Sequence, residues 1–213
     1  MELAWLEEPT VEALRDALRI VAPDLTEGTI VPRGLEPSDD PQYCTASAVV
    51  DGRFVVKFAW SRPAALRICY QAEVLGALRT AAPELPLPEV VTVARAPAML
   101  VLRWLPATPF FEVRELIGAA ERDSVARDLA AVLAELHDPG VLREVAGAID
   151  PLPQPIAPAT TDTLRARFGA LVRPDQRERV RSWCDWADTV LATPRHIVLV
   201  HGDFHGDNHL WDP

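Results

Sequence analysis

Strand-like and helical patterns are segregated along this chain, and that segregation limits the fold more than any other feature. In the first half, short apolar runs alternate with turn residues. Thr29-Ile30-Val31, Val49-Val50, Phe54 to Phe58, Val90 to Val93 and Met99 to Leu102 all read as strands. Asp51-Gly52 suits a tight primed turn, so Ala46 to Ala59 is expected to be a hairpin, and the Ala96-Pro97 break suggests another. Val11, Leu14, Leu18 and Val21 fall at helical spacing, with Pro23 and Gly28 closing that helix. A longer helix runs from Pro63 to Thr80, opened by Ser61 and Pro63 and closed near Pro83.

Beyond Trp104-Leu105-Pro106 strands nearly vanish. Asp123 to His137 is helical, with Val125, Leu129, Val132, Leu133 and Leu136 on one side. Pro151 to Pro158 holds four prolines and reads as a loop or extended linker. Thr161 to Val172 and Asp175 to Leu191 are two further helices, and Ile197 to Val200 reads as a buried strand running into His201-Gly202-Asp203. Strands followed by helices make an α+β protein. The boundary is expected near Leu105, giving a strand-rich lobe over residues 1–105 and a helical one over 106–213, with a ligand cleft between them.

Composition narrows the function. No apolar run approaches the roughly 20 residues of a membrane helix, and the acidic start Met1-Glu2-Leu3 lacks the basic opening of a secretory signal. Three cysteines, Cys44, Cys69 and Cys184, are an odd number without paired spacing and read as free thiols in a reducing cytoplasm. A net charge of −10 argues against nucleic acid as a partner and is compatible with a cationic small molecule. Of the 21 basic residues, Lys57 is the sole lysine. Its compact ammonium suits a phosphate oxygen differently from a planar guanidinium.

The most chemically pointed stretch is Leu199-Val200-His201-Gly202-Asp203-Phe204-His205-Gly206-Asp207-Asn208. An apolar segment delivers an aspartate to a glycine-bent loop, and an asparagine follows five residues later. Phosphoryl transfer needs a carboxylate to orient the attacking hydroxyl and an oxygen ligand for Mg2+ beside the phosphates, and one short loop can supply both. Two other readings remain. His201, Asp203, His205 and His209 could hold a metal in a hydrolase, or the chain could bind nucleotide without catalysis.

This loop resembles the catalytic loop of the aminoglycoside phosphotransferase and choline kinase family, which shares the protein-kinase-like fold. The resemblance implies a two-lobed α+β fold with a strand-rich N-lobe and a helical, incomplete C-lobe. It implies transfer of the γ-phosphate of ATP or GTP, with Mg2+, to a hydroxyl of an antibiotic, amino alcohol or sugar. Asp203 would be the catalytic base, Asn208 the metal ligand, and His201 a structural residue. Lys57, in Val55-Val56-Lys57-Phe58, matches the family's phosphate-contacting lysine. Glu73 matches the helix glutamate that pairs with it. Helical spacing puts Glu73 on the face of Leu66, Tyr70 and Ala77, where a carboxylate is costly unless paired. Arg103, Trp104 and Leu105 would border the adenine through backbone groups, and His137 reads as a capping or core histidine.

Two departures from the family pattern stand out. Glu36 to Ser47 contains no glycine where kinases carry a glycine-rich loop, which leaves Ser38, Thr45 or Ser47 to contact phosphate. The chain also ends at Asp212-Pro213, before the strand that bears the family's second metal-binding aspartate. The 213 residues alone are therefore expected to transfer phosphate weakly or not at all.

Overall fold

The computed structural model describes residues 2–36, 38–150, 161–192, 197–201 and 209–211, with the side chain of Leu191 excepted. The chain divides into two compact units, residues 1–152 with 198–213, and residues 153–197.

The first unit is organised by a five-stranded antiparallel sheet. Its strands are β1 (Ile30–Arg33), β2 (Thr45–Val50), β3 (Phe54–Ala59), β4 (Val90–Arg95) and β5 (Ala98–Arg103), in the spatial order β1-β2-β3-β5-β4. The β2–β3 hairpin forms where expected. Asp51 and Gly52 both have positive φ, 55° and 60°, as a two-residue primed turn demands. The Asp51 carboxylate also accepts from the N–H of Thr29 at 2.7 Å, tying the turn to the start of β1. A Cβ at Gly28 would stand 2.7 Å from that carboxylate, so only glycine lets the two approach.

Strand alternation gives β3 two faces. Phe54, Val56 and Phe58 point into a core shared with Leu14, Ala17 and Leu18 of α1 (Val11–Val21). Excluding such a side chain from water is worth roughly 1.5–3 kcal/mol each. Thr10 caps α1 by accepting from the N–H of Ala13 at 3.1 Å. The opposite face, with Ala59, Leu100 and Leu102, is covered by α2 (Arg62–Ala81), whose small residues Ala64, Ala65, Cys69 and Ala72 let the helix lie close. The Ser61 hydroxyl accepts from the N–H of Ala64 at 3.2 Å, so the start signal read from sequence is a true N-cap. β5 is buried along Ala98–Leu102 because both layers meet on it.

After the sheet come a short strand β6 (Thr108–Pro109), the single turn α3 (Phe110–Val113), and the helices α4 (Ala119–Leu136) and α5 (Pro139–Ala148). α5 was not expected from sequence, although Asp138 and Pro139 are a standard opening, and the Asp138 carboxylate accepts from Gly140 N–H at 2.6 Å. His137 ends α4, its N–H donating to the carbonyl of Leu133 at 2.9 Å, so of the two readings, capping or core, it occupies the C-cap position. Leu78 and Ala82 at the end of α2 join Leu136, Val141 and Val145 in a third apolar cluster.

Ile197 to Val200 is not a strand. Leu199 leans on the third cluster, while Ile197 and Val200 are 77% and 65% exposed. A strand needs a neighbour to take its hydrogen bonds, and no described segment offers one there. Pairing comes later, where β7 (Leu210–Trp211) meets β6 with Thr108 opposite Trp211 and Pro109 opposite Leu210.

The second unit contains α6 (Thr161–Leu171) and α7 (Arg177–Ala192), both foreseen from sequence. The proline-rich stretch Pro151 to Pro158 lies outside the described residues. Among the described residues no helix is long and apolar enough to cross a membrane.

Candidate active site

Lys57 lies on the middle strand of the sheet, with Ser47 of β2 and Leu100 of β5 directly across from it. Alternation turns it toward α2, between Val55 and Ala59, so an ammonium stands at the margin of an apolar layer. Burial lowers its pKa below the ordinary lysine value because the charged form loses hydration. Its Nζ donates to Gln71 Oε1 at 3.1 Å.

That partner corrects the sequence reading, which gave the role to Glu73. Glu73 does share a face with Leu66, Tyr70 and Ala77, but it is the half-exposed face of α2. The packed face carries Ala64, Ala65, Ile68, Cys69 and Ala72, and Gln71 borders it. Gln71 and Glu73 are about 200° apart around the helix, so only one of them can meet β3. Glu73 instead bonds Arg95 of β4 at 3.3 Å, with both side chains 47% exposed.

Between β5 and β6, Arg103, Trp104 and Leu105 form the crossing segment. The N–H of Arg103 donates to the carbonyl of Glu89 at 2.9 Å, and that of Trp104 to Arg53 at 2.8 Å. The Arg103 side chain forms a two-bonded pair with Glu89, at 2.7 and 3.2 Å, which holds the Glu89 carboxyl below its usual range. The guanidinium also lies 5.7 Å from the ring centre of Phe54. Trp104 is capped by Arg33 at 6.0 Å, and the carbonyl of Leu105 accepts from Ala107 N–H at 2.8 Å.

The stretch joining β1 to β2, together with β2 itself, holds the residues weighed as substitutes for a glycine-rich loop. The Thr45 hydroxyl is already given to the carbonyl of Phe58 at 3.0 Å. Ser47 is half-buried inside β2, and Ser38 accepts from Asp40 N–H at 3.3 Å. Of the three, Ser47 is the one placed beside Lys57.

Asp203, His205 and Asn208 lie outside the described residues, but both stems of their loop are described. The rings of His201 and His209 approach to 6.2 Å between centres. Just past that contact the carbonyl of His209 accepts from Phe110 N–H at 2.8 Å. The ring of Trp211 meets Phe110 edge-on at 6.4 Å. Phe110, at the start of α3, therefore anchors residues 209–211 at the exit of the loop. Sequence reasoning did not foresee this anchor; the apolar Phe110-Phe111 after Pro109 was its one available signal. Among the described residues no cluster of His, Cys, Asp and Glu is arranged to hold a metal. A groove of about 580 Å3 bordered by Ala131, Glu135, Asp138 and Glu144 shares no residue with the Lys57 contact.

A five-stranded antiparallel sheet with one helix against its central lysine strand, followed by helices, is the layout of a protein-kinase-like fold. Residues 45–213 match the phosphotransferase enzyme family known as APH, and the chain belongs to that family. Comparison with curated proteins gives no match. Among solved structures, the streptomycin–ATP complex of APH(2")-IIa aligns with 95% of this chain at 16% identity and a TM-score of 0.62. ADP-bound aminoglycoside phosphotransferase APH(2'')-Ib aligns with 94% at 15% identity and a TM-score of 0.61. Macrolide 2'-phosphotransferase MphH from Brachybacterium faecium aligns with 95% at 22% identity and a TM-score of 0.56. The chain spans about two thirds of these proteins, covering 67%, 66% and 68% of their lengths.

Proposed function

We propose that this chain carries the nucleotide site and catalytic loop of a kinase that moves the γ-phosphate of ATP or GTP to a hydroxyl of a small molecule. The observation that carries the reading is Lys57, a sole lysine held at the edge of an apolar layer by α2. A half-buried cation there is worth its desolvation cost if an anion comes to it. Phosphate oxygens of a nucleotide are such an anion.

Asp203 would orient the acceptor hydroxyl and take its proton as the γ-phosphate transfers, and Asn208 would hold Mg2+ through its side-chain oxygen. The donor chemistry fits, because magnesium takes oxygen ligands and the loop offers a carboxylate and an amide. When bound, the ion neutralises charge on the phosphates. The N–H groups of Arg103 and Trp104 are already bonded to the carbonyls of Glu89 and Arg53, so a backbone donor to the base in the crossing segment would come from Leu105 onward. The relatives bind streptomycin and gentamicin or are named for macrolides. The net charge of −10 is compatible with a cationic acceptor, and three free thiols fit a reducing cytoplasm.

Titration calorimetry with ATP and with GTP, each with and without Mg2+, tests this. Lys57→Ala should weaken Mg2+-dependent nucleotide binding about tenfold or more, the worth of a charge-assisted hydrogen bond. Equal binding by the two proteins would remove Lys57 from the site.

A further inference from the structure

Lys57 has an unusual partner for a cation taken out of water. Gln71 offers it an amide oxygen, which orients one N–H without cancelling charge. Several charged groups on neighbouring elements are engaged elsewhere. Glu73 of α2 bonds Arg95 of β4 at 3.3 Å, and Arg67 of α2 donates to the carbonyl of Gln42 at 3.2 Å. Glu89 and Arg103 hold each other, while β2 and β5 present Ser47 and Leu100 opposite the lysine. Among the described residues, no carboxylate bonds Lys57.

We propose that Gln71 is the positioning residue for Lys57 in nucleotide binding. Its amide oxygen fixes the ammonium against α2 while leaving the positive charge whole for the phosphates of a nucleoside triphosphate. A carboxylate at this place would hold the lysine more strongly but spend part of its field before any nucleotide arrived. A leucine would leave the ammonium with neither a tether nor an acceptor. The proposal rests on the nucleotide-site reading above. The lowered pKa of Lys57 agrees with a partner that does not neutralise it.

The test exploits the sole lysine: incorporation of lysine labelled with 13C at the ε-carbon yields a single side-chain resonance whose pH titration belongs to Lys57. In the unaltered chain it should titrate below the ordinary value of 10.5. Gln71→Glu should raise that midpoint, and Gln71→Leu should lower it further. Binding of Mg2+ with ATP should weaken as pH rises through the free Lys57 midpoint. That loss should begin at higher pH in Gln71→Glu, and Gln71→Leu should bind about tenfold more weakly near neutrality. A merely structural glutamine would move neither the titration nor the alkaline limb of binding.

Coincident titrations in all three proteins would overturn the role of Gln71 even if nucleotide binds. A midpoint at or above 10.5 in the unaltered chain would overturn it too, because a carboxylate would then be meeting the lysine. Titrations that shift as expected in a chain binding neither ATP nor GTP would sink the nucleotide reading, and the positioning role with it, while leaving the Gln71 contact standing.

Discussion

Around β3, the side chains of Val56, Phe58 and Leu100 are wholly excluded from water, whereas in α6 and α7 Cys184 is the one buried residue among those described. Trp183 and Trp186 are 63% and 66% exposed. The helical pair is held by charge instead. Arg165 pairs with Asp162 at 3.0 Å and with Asp185 at 2.8 Å, and it also bonds Asp188, which accepts from the Thr161 hydroxyl as well. Exposed ion pairs contribute little each, with a median of about 0–1 kcal/mol. Apolar burial is worth several times more per residue and tolerates fewer geometries. The two units thus differ in how firmly a sequence change is felt, and the lysine site stands on the firm one.

The sharpest way to break this comparison is to open a cavity beside the site. Phe58→Ala should cost about 3–5 kcal/mol in chemical unfolding and lower the affinity for nucleotide with it, since Phe58 precedes Ala59 on the strand that carries Lys57. A loss under about 1 kcal/mol would mean the layer is loosely packed. Next in size, Ser61→Ala removes the hydroxyl that accepts from Ala64 N–H and should cost about 1 kcal/mol. Ser61→Asp should recover only part of it, because aspartate caps Ala64 N–H equally well but cannot donate to the carbonyl of Pro41 as the Ser61 hydroxyl does.

The smallest global effects are expected in the charged pair of helices. Arg165→Met should leave unfolding of the sheet unit unchanged and show only as faster amide exchange in Thr161–Leu171 and Arg177–Ala192. Acid should act the same way. The Thr161 hydroxyl and the Arg165 guanidinium both favour the Asp188 carboxylate and lower its pKa. The stabilisation from that shift is therefore complete above the ordinary aspartate range and is lost as pH falls through the lowered value. Exchange in the helical pair should accelerate there, and salt should have a like effect. A single cooperative transition involving both units would erase the distinction between them.

Much of the frame was legible because its signals are local. Asp51-Gly52 marked a hairpin turn because both residues tolerate positive φ, and Ser61 with Pro63 marked the start of α2 because capping involves neighbours in sequence. The partner of Lys57 was not legible. α2 is apolar nearly all round, with Leu66, Tyr70 and Ala77 as water-averse as Ala64, Ile68 and Ala72, so periodicity cannot choose its buried side. A charge argument then favoured Glu73, and the fold chose Gln71. The small residues on the packed face were the usable clue, since close helix–sheet contact selects them. The strand expected at Ile197 to Val200 failed for a related reason: composition can make a segment strand-like, but only a neighbour can complete its hydrogen bonds.

The sequence by itself determined the α+β order, the strand that carries Lys57 and the helix after it, because propensity, caps and turns act over a few residues. Tertiary structure alone decided which side of α2 faces the sheet, that a neutral amide meets the ammonium, and that Phe110 and Trp211 anchor the exit of the loop. Those outcomes depend on how distant layers pack, and packing joins residues whose separation along the chain carries no signal.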